Sequence, residues 1–222
     1  MERYQGLEHP RFRARTVHGL IHRVILFRMP LILASSSAIR RTLLDQAGLD
    51  YKIVPAAIDE PAVEAAHEGQ DFELALALAE AKAAKVSELH PDDWVIGGDS
   101  IISVEGRRFR KPASRHEAAE HLRYFSGRAM RLVSAVALAR QGAVEWNHIS
   151  DAVLHVRPLG NEFIEHYLQA EWPAVAYCVG VFRMEARGVT LFDQVEGDHF
   201  TILGMPLLPL LGALRERGLM PS

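Results

Sequence analysis

Two long runs of β-type sequence, Met130 to Arg140 and Val144 to Val156, stand back to back across Gln141-Gly142-Ala143. They read as one hairpin whose strands are unusually long for a small domain. Such a hairpin commits the chain to a sheet, which the other patterns must extend or cover. Met29 to Ala34, Tyr51 to Val54, Trp94 to Ile96, Ile101 to Val104, Val175 to Val181 and Val189 to Phe192 read as further strands. Helical spacing predicts helices from Ile39 to Gly48, from Asp71 to Leu89, from Ser114 to Phe125, after Pro158 and from Pro206 onward. In the longest, Phe72, Leu74, Leu76, Ala79, Ala83 and Val86 are the expected core residues and Asp71 the expected N-cap. Ser114 and Glu117 form a capping box. Helices alternating with strand pairs give an α/β class with a mixed sheet.

A chain of 222 residues, 49% hydrophobic and 24% charged, can bury one large core or two lobes. Its net charge of −3 hides an asymmetry. Residues 1–28 hold six arginines against Glu2 and Glu8, a balance of +4 that leaves −7 for the rest. The expected organisation is a poorly ordered basic extension over 1–28 and a single domain over 29–222. The run Val24 to Phe27 is too short for a signal h-region. No stretch approaches the ~20 apolar residues of a membrane span, so the expected location is cytoplasmic. Cys178, the single cysteine, excludes an intrachain disulfide and any multi-cysteine metal site, and reads as buried and inert. His116 and His121 are five apart and lie on different helix faces. P-loop, GxGxxG and G-x-S-x-G patterns are absent.

Chemistry gathers at two places. The first is Leu31 to Leu44, LILASSSAIRRTLL, a strand-to-helix turn in which Ser35 to Ser37 can cap the helix while Arg40 and Arg41 occupy its first turn. Cations there oppose the helix dipole. An anion would resolve the conflict, because backbone N–H groups, hydroxyls and two guanidinium forks would converge on it. The competing reading is a surface helix with two solvated arginines. The second place is Ile96-Gly97-Gly98-Asp99-Ser100-Ile101-Ile102, a carboxylate between apolar runs behind two glycines that permit close approach of a ligand. Here the alternative is an Asx-turn residue at a bend in the sheet. A hairpin then returns Arg107, Arg108, Arg110 and Lys111 toward Asp99.

In order along the chain, LASSSAIRRTLL, IDE, LALAEAKA, IGGDSII, RKP, FSG and GMPL resemble the motifs of the Maf family, whose members are nucleoside triphosphate pyrophosphatases. The resemblance covers Met29 to about Gly218. It implies a Maf/ITPase-like α/β fold: an elongated mixed central sheet flanked by helices, in two lobes with a cleft between them. It also implies a substrate and a set of roles. Ser35, Ser37, Arg40, Arg41, Lys82 and Lys111 would hold the triphosphate. Glu60 and Asp99 would serve a divalent cation, Mg²⁺ or Mn²⁺, with Asp99 the catalytic residue, as base or as metal ligand. Ile39, Ser100 and Glu185 stand where the family reads the base.

Glu185 and Gly188 to Phe192 lean toward the subgroup that takes 7-methyl-GTP, whereas Ile39 and Ser100 match neither subgroup, and Ala38 replaces the usual proline. The implied reaction hydrolyses the α–β phosphate bond to a nucleoside monophosphate and pyrophosphate, which requires neutralising a polyanion and activating a water. The rival expectation is a non-catalytic, nucleotide-binding regulator of cell division. Neither a membrane nor nucleic acid is an expected partner, and base rate alone suggests a homodimer.

Overall fold

The computed structural model describes residues 31–67 and 71–221. The basic segment 1–28 and the expected start of the first strand at Met29 lie outside the described residues. The apolar run forms β1 (Leu31–Leu33), buried throughout, and the serine turn leads into α1 (Ala38–Gln46), capped by Ser37. There follow β2 (Lys52–Ile53), α2 (Glu60–Ala66), α3 (Asp71–Leu89), β3 (Trp94–Val104) and β4 (Arg107–Phe109). Next come α4 (Arg115–Phe125), β5 (Ala129–Arg140), β6 (Ala143–Val156), α5 (Asn161–Glu171), β7 (Phe192–Gly197), α6 (His199–Ile202) and α7 (Leu207–Glu216).

The strands make one mixed sheet in the order β2-β1-β3-β5-β6-β7, with β1 parallel to β2 and β3 and the other pairings antiparallel. The long hairpin is present as expected, β5 and β6 turning at Gln141 and Gly142, both with positive φ as a two-residue turn demands. One edge of β3 pairs with β5 from Val95 to Val104. Its other edge is shared: β1 pairs with residues 94–96 and β4 with residues 102–104. Residues 97–101 therefore face no strand on that edge, and this notch contains the Gly-Gly-Asp-Ser sequence.

Two apolar cores flank the notch. Leu31, Leu43, Leu44 and Ile96 pack with Leu210 and Leu214 of α7 on one side. Ile102, Val104, Phe109, Leu122, Phe125 and Ile164 pack on the other. The opposite face of the sheet is covered by α3, whose Ala75, Ala79 and Ala83 meet Val133, Ala135, Ala137 and Ala139 of β5. Alanine on both surfaces brings helix and sheet unusually close, and the i, i+4 alanines of LALAEAKA serve that approach.

Several local expectations give way. Trp94 to Val104 is one continuous strand, because β5 pairs along its whole length, so Asp99 sits mid-strand and not in an Asx-turn. The acids of IDE sit at a helix N-terminus, Asp59 capping α2 and Glu60 opening it. Asp71 is a helical residue whose carboxylate accepts from Ser103 Oγ and Arg108 Nε, both at 2.6 Å. Phe72 and Leu76 are only half-buried, and Ala75 and Leu78 take the interior positions. Val175 to Val181 contains a 3₁₀ turn, Ala174–Tyr177, in place of a strand. A second turn, Arg187–Leu191, displaces the strand expected at Val189, so β7 starts at Phe192 and runs to Gly197. In both stretches an apolar composition is satisfied by packing against the α4–α5 core, with Val175, Val181 and Leu191 buried there.

Candidate active site

The site is built at the notch, and the two glycines explain how. A Cβ on Gly97 would fall 2.2 Å from the Ala79 carbonyl oxygen, so only glycine lets α3 lie this close. A Cβ on Gly98, on the other face of β3, would lie 3.4 Å from Arg40 Nε. The glycines thus admit the protein's own helix and its own arginine on opposite faces of one strand.

On the α3 face, Lys82 Nζ donates to Asp99 Oδ1 at 2.5 Å and lies 2.7 Å from Glu60 Oε1. Lys82 and Asp99 are largely buried, with side chains 13% and 15% exposed, while Glu60 at 50% opens to solvent. Burial pushes the Glu60 carboxyl upward, but Lys82, by hydrogen bond and charge, together with Lys111 and Arg40 holds it below its ordinary value. α2, which presents Glu60, is tied down from its far end. Glu64 pairs with Arg110, and the His67 carbonyl accepts from both terminal nitrogens of Arg108 at 3.4 Å. The sequence placed Arg108 and Arg110 on a hairpin returning toward Asp99, whereas the structure commits both to α2 through Glu64 and the His67 carbonyl.

On the other face, Arg40 is buried in the notch and nearly saturated. Its Nε donates to the Gly204 carbonyl at 2.9 Å, Nη1 to the Gly98 carbonyl at 2.9 Å and Ser35 Oγ at 3.3 Å, and Nη2 to Ser100 Oγ at 3.1 Å. Burial lowers its pKa, opposed by the charges of Asp99 and Glu60. The guanidinium takes the place of the missing strand, bonding a β3 carbonyl that no neighbour reaches. It also explains the GMPL motif: Gly204, at φ +92°, turns its carbonyl onto Arg40, and a Cβ there would lie 3.2 Å from Ser100 Oγ.

The serine turn is organised from within. Ser35 Oγ accepts from the Ser37 N–H at 3.2 Å as well as from Arg40, and keeps its own proton to give. Arg41, half-buried, has an Nε shielded from solvent with no partner among the described residues, an uncommitted donor beside a helix N-terminus. Lys111 is exposed, and its charge lowers the pKa of both the Glu60 carboxyl and the Cys178 thiol. The charge of Glu185 also acts on Cys178, raising its pKa.

The candidate set is thus brought together in part. Ser35, Arg40, Lys82, Asp99, Ser100 and Glu60 converge on the notch, with Lys111 close by. Ile39 is half-buried and packs toward the α7 core. The Ser100 hydroxyl is engaged by Arg40, and Glu185 is exposed near Arg183 and Cys178. Cys178 is half-buried, its thiol pushed up to about 11 chiefly by burial, so it stays protonated near neutrality, as its reading as inert requires. Among the described residues, an open groove of about 370 Å³ lined by Pro61, Glu64, Ile101 and Arg108 and another of about 260 Å³ beside His67 and Glu80 do not include Arg40, Lys82, Asp99 or Glu60 in their walls.

Among the described residues no three His, Cys, Asp or Glu side chains cluster as metal ligands, and no helix is long and apolar enough to cross a membrane. The family model for Maf-like proteins matches residues 30–217. A 7-methyl-GTP pyrophosphatase of Rhizobium etli is 48% identical over 191 residues, 85% of this chain and 96% of that protein. A nucleoside triphosphate pyrophosphatase of Granulibacter bethesdensis is 44% identical over 191 residues, 85% and 97% of the two chains. Among solved structures, the Staphylococcus aureus Ham1 protein is 16% identical and aligns over 85% of this chain and 99% of its own, with a TM-score of 0.43. The match over residues 30–217, together with relatives 44–48% identical over almost their whole length, places the chain in the Maf-like protein family.

Proposed function

We propose that this protein hydrolyses the α–β phosphate bond of a modified or non-standard nucleoside triphosphate, releasing a nucleoside monophosphate and pyrophosphate. The observation that carries it is the notch itself, where a nearly saturated Arg40 and a Lys82-bridged carboxylate pair meet from opposite faces of one strand. Relatives named for this activity support it.

The chain's own groups divide the work. Arg41, Lys111, the Ser35 hydroxyl and the first-turn N–H groups of α1 bind and orient the phosphates. Arg40, locked by four partners, contributes a fixed positive charge that needs no reorganisation as charge develops on the leaving pyrophosphate. Asp99 has a second carboxylate oxygen besides the one Lys82 holds, and this oxygen is the acceptor for a proton of the attacking water. Glu60 and Asp99 fit a Mg²⁺ or Mn²⁺ ion as two hard oxygen donors that leave its remaining positions to water and phosphate. When bound, the ion lowers the pKa of coordinated water and neutralises phosphate charge. Glu185 selects the base, with Ile39 and Ser100 shaping the approach. The same proposal carries a cytoplasmic location and a homodimer, the latter checked by light scattering.

A panel of nucleoside triphosphates that includes 7-methyl-GTP, assayed for pyrophosphate with Mg²⁺ or Mn²⁺, tests it. Release from at least one nucleotide is expected. Tight nucleotide binding without any pyrophosphate would reject the enzyme in favour of a binding regulator.

A further inference from the structure

Ser134 is a hydroxyl in the wrong company. It is fully buried at the centre of β5, with Val133, Ala135, Val136 and Ala137 beside it at 0% exposure. An unpartnered hydroxyl there would cost free energy with nothing to offset it, and Ser134 has partners that run straight to the site. It is the register partner of Ser100 across the β3–β5 ladder, so their side chains share a face, and the two Oγ atoms are 3.0 Å apart. Ser134 Oγ also lies 2.9 Å from the Thr201 carbonyl oxygen.

Two hydroxyl protons serve three contacts here, and the short bond to the Thr201 carbonyl gives the direction of the others. A carbonyl cannot donate, so the single Ser134 proton goes to Thr201, and Ser134 must accept from Ser100. Ser100, having given its proton to Ser134 at 3.0 Å, with the Gly204 carbonyl at 3.3 Å as its alternative, accepts from Arg40 Nη2. The chain Arg40 → Ser100 → Ser134 → Thr201 is one-way, and its end lies in α6, three residues before the Gly204 carbonyl that holds Arg40 Nε. Asp198 caps α6 by accepting from the Thr201 N–H at 2.8 Å and the Thr201 hydroxyl at 3.1 Å, which holds that terminus in place.

We propose that Ser134 is a positioning residue for Arg40, acting through Ser100 as the last donor in a hydrogen-bond chain anchored on the Thr201 carbonyl. It rests on the assignment of Arg40 to the phosphate-binding machinery. Without the Ser134 hydroxyl, the Ser100 proton turns to the Gly204 carbonyl, crowding the acceptor that Arg40 Nε uses, and the guanidinium loses its single orientation.

Two measurements on the full chain test this. In the free protein, the Arg40 Nε–H resonance, assigned by its loss in Arg40→Lys, is expected to exchange slowly with solvent, and Ser134→Ala should speed that exchange at least tenfold. In the assay, Ser134→Ala should lower kcat/KM for pyrophosphate release about tenfold and add nothing further in a Ser100→Ala background, as for residues acting in series. Multiplying factors would overturn the proposal, as would unchanged exchange and turnover with only a lower Tm. If Ser134→Ala does not fold, Ser134→Cys, of similar shape with a weak S–H donor, runs the same comparison. A wild-type protein that releases no pyrophosphate rejects the proposed activity by itself, and the exchange measurement still decides the relay.

Discussion

Lys82 Nζ donates to Asp99 Oδ1 at 2.5 Å while holding Glu60 Oε1 at 2.7 Å, so one ammonium sits where the two carboxylates converge. That is the point a divalent cation would share between them. Mn²⁺ and Lys82 should therefore compete in the nucleotide-free protein. Titration calorimetry or the Mn²⁺ spin-resonance signal should show weak binding to the wild type and at least roughly tenfold tighter binding to Lys82→Met, since removing the ammonium leaves two partly desolvated carboxylates in need of a cation. Equal Mn²⁺ affinity in the two proteins would refute the competition.

Asp99→Asn keeps the shape of the side chain and removes its charge and basicity. Pyrophosphate release should fall by roughly 10²-fold or more, with the far-ultraviolet circular dichroism unchanged. Turnover within a few-fold of wild type would show that the carboxylate stays out of the chemical step.

Glu60 titrates below its ordinary value because Lys82, Lys111 and Arg40 outweigh the opposing effect of burial. A carboxylate depressed in the folded state stabilises the protein above its unfolded pKa, ~4.3, and that stabilisation is lost as pH falls through the lower folded value. Urea unfolding of the wild type and Glu60→Gln should thus differ at pH 7 and converge on acidification below about pH 4. With the Glu60 side chain 50% exposed, the difference at neutral pH should stay within ~1 kcal/mol.

Gly97→Ala and Gly204→Ala separate two kinds of glycine requirement. At Gly97 the added methyl meets the α3 backbone, so α3 must retreat. A stability loss of ~1–3 kcal/mol or more is expected, together with lost turnover as Lys82 moves off Asp99. At Gly204, held at φ +92°, the strain costs ~1–3 kcal/mol and turns the carbonyl away from Arg40. Denaturant melts and steady-state kinetics on both proteins check this; full activity in Gly204→Ala would remove that carbonyl from the support of Arg40.

Much of the architecture was legible in one dimension because it depends on local pattern. The long hairpin, α3 from Asp71 to Leu89 and the capping box at Ser114 follow from periodicity, turn glycines and short-range caps, and each appears in the structure. The strands expected at Val175 and Val189 failed for the complementary reason. Val175, Val181 and Leu191 are buried by packing on the α4–α5 core, a tertiary contact that the one-dimensional apolar pattern does not distinguish from a place in the sheet.

The sequence by itself named most of the residues that meet at the notch, because ordered motifs survive in the chain whatever their spatial arrangement. Only the tertiary structure decided what each touches. Arg40 and Arg41 are adjacent in sequence, yet one is buried and bonded to four partners and the other retains a donor with no partner among the described residues. The glycines read as room for a ligand make room instead for α3 and Arg40. Ser134, which no motif marks, closes the chain of bonds behind them. The reason is geometric: a notch exists only where two strands share one edge of a third without meeting, and three partners 58 to 164 residues away along the chain converge there on Arg40.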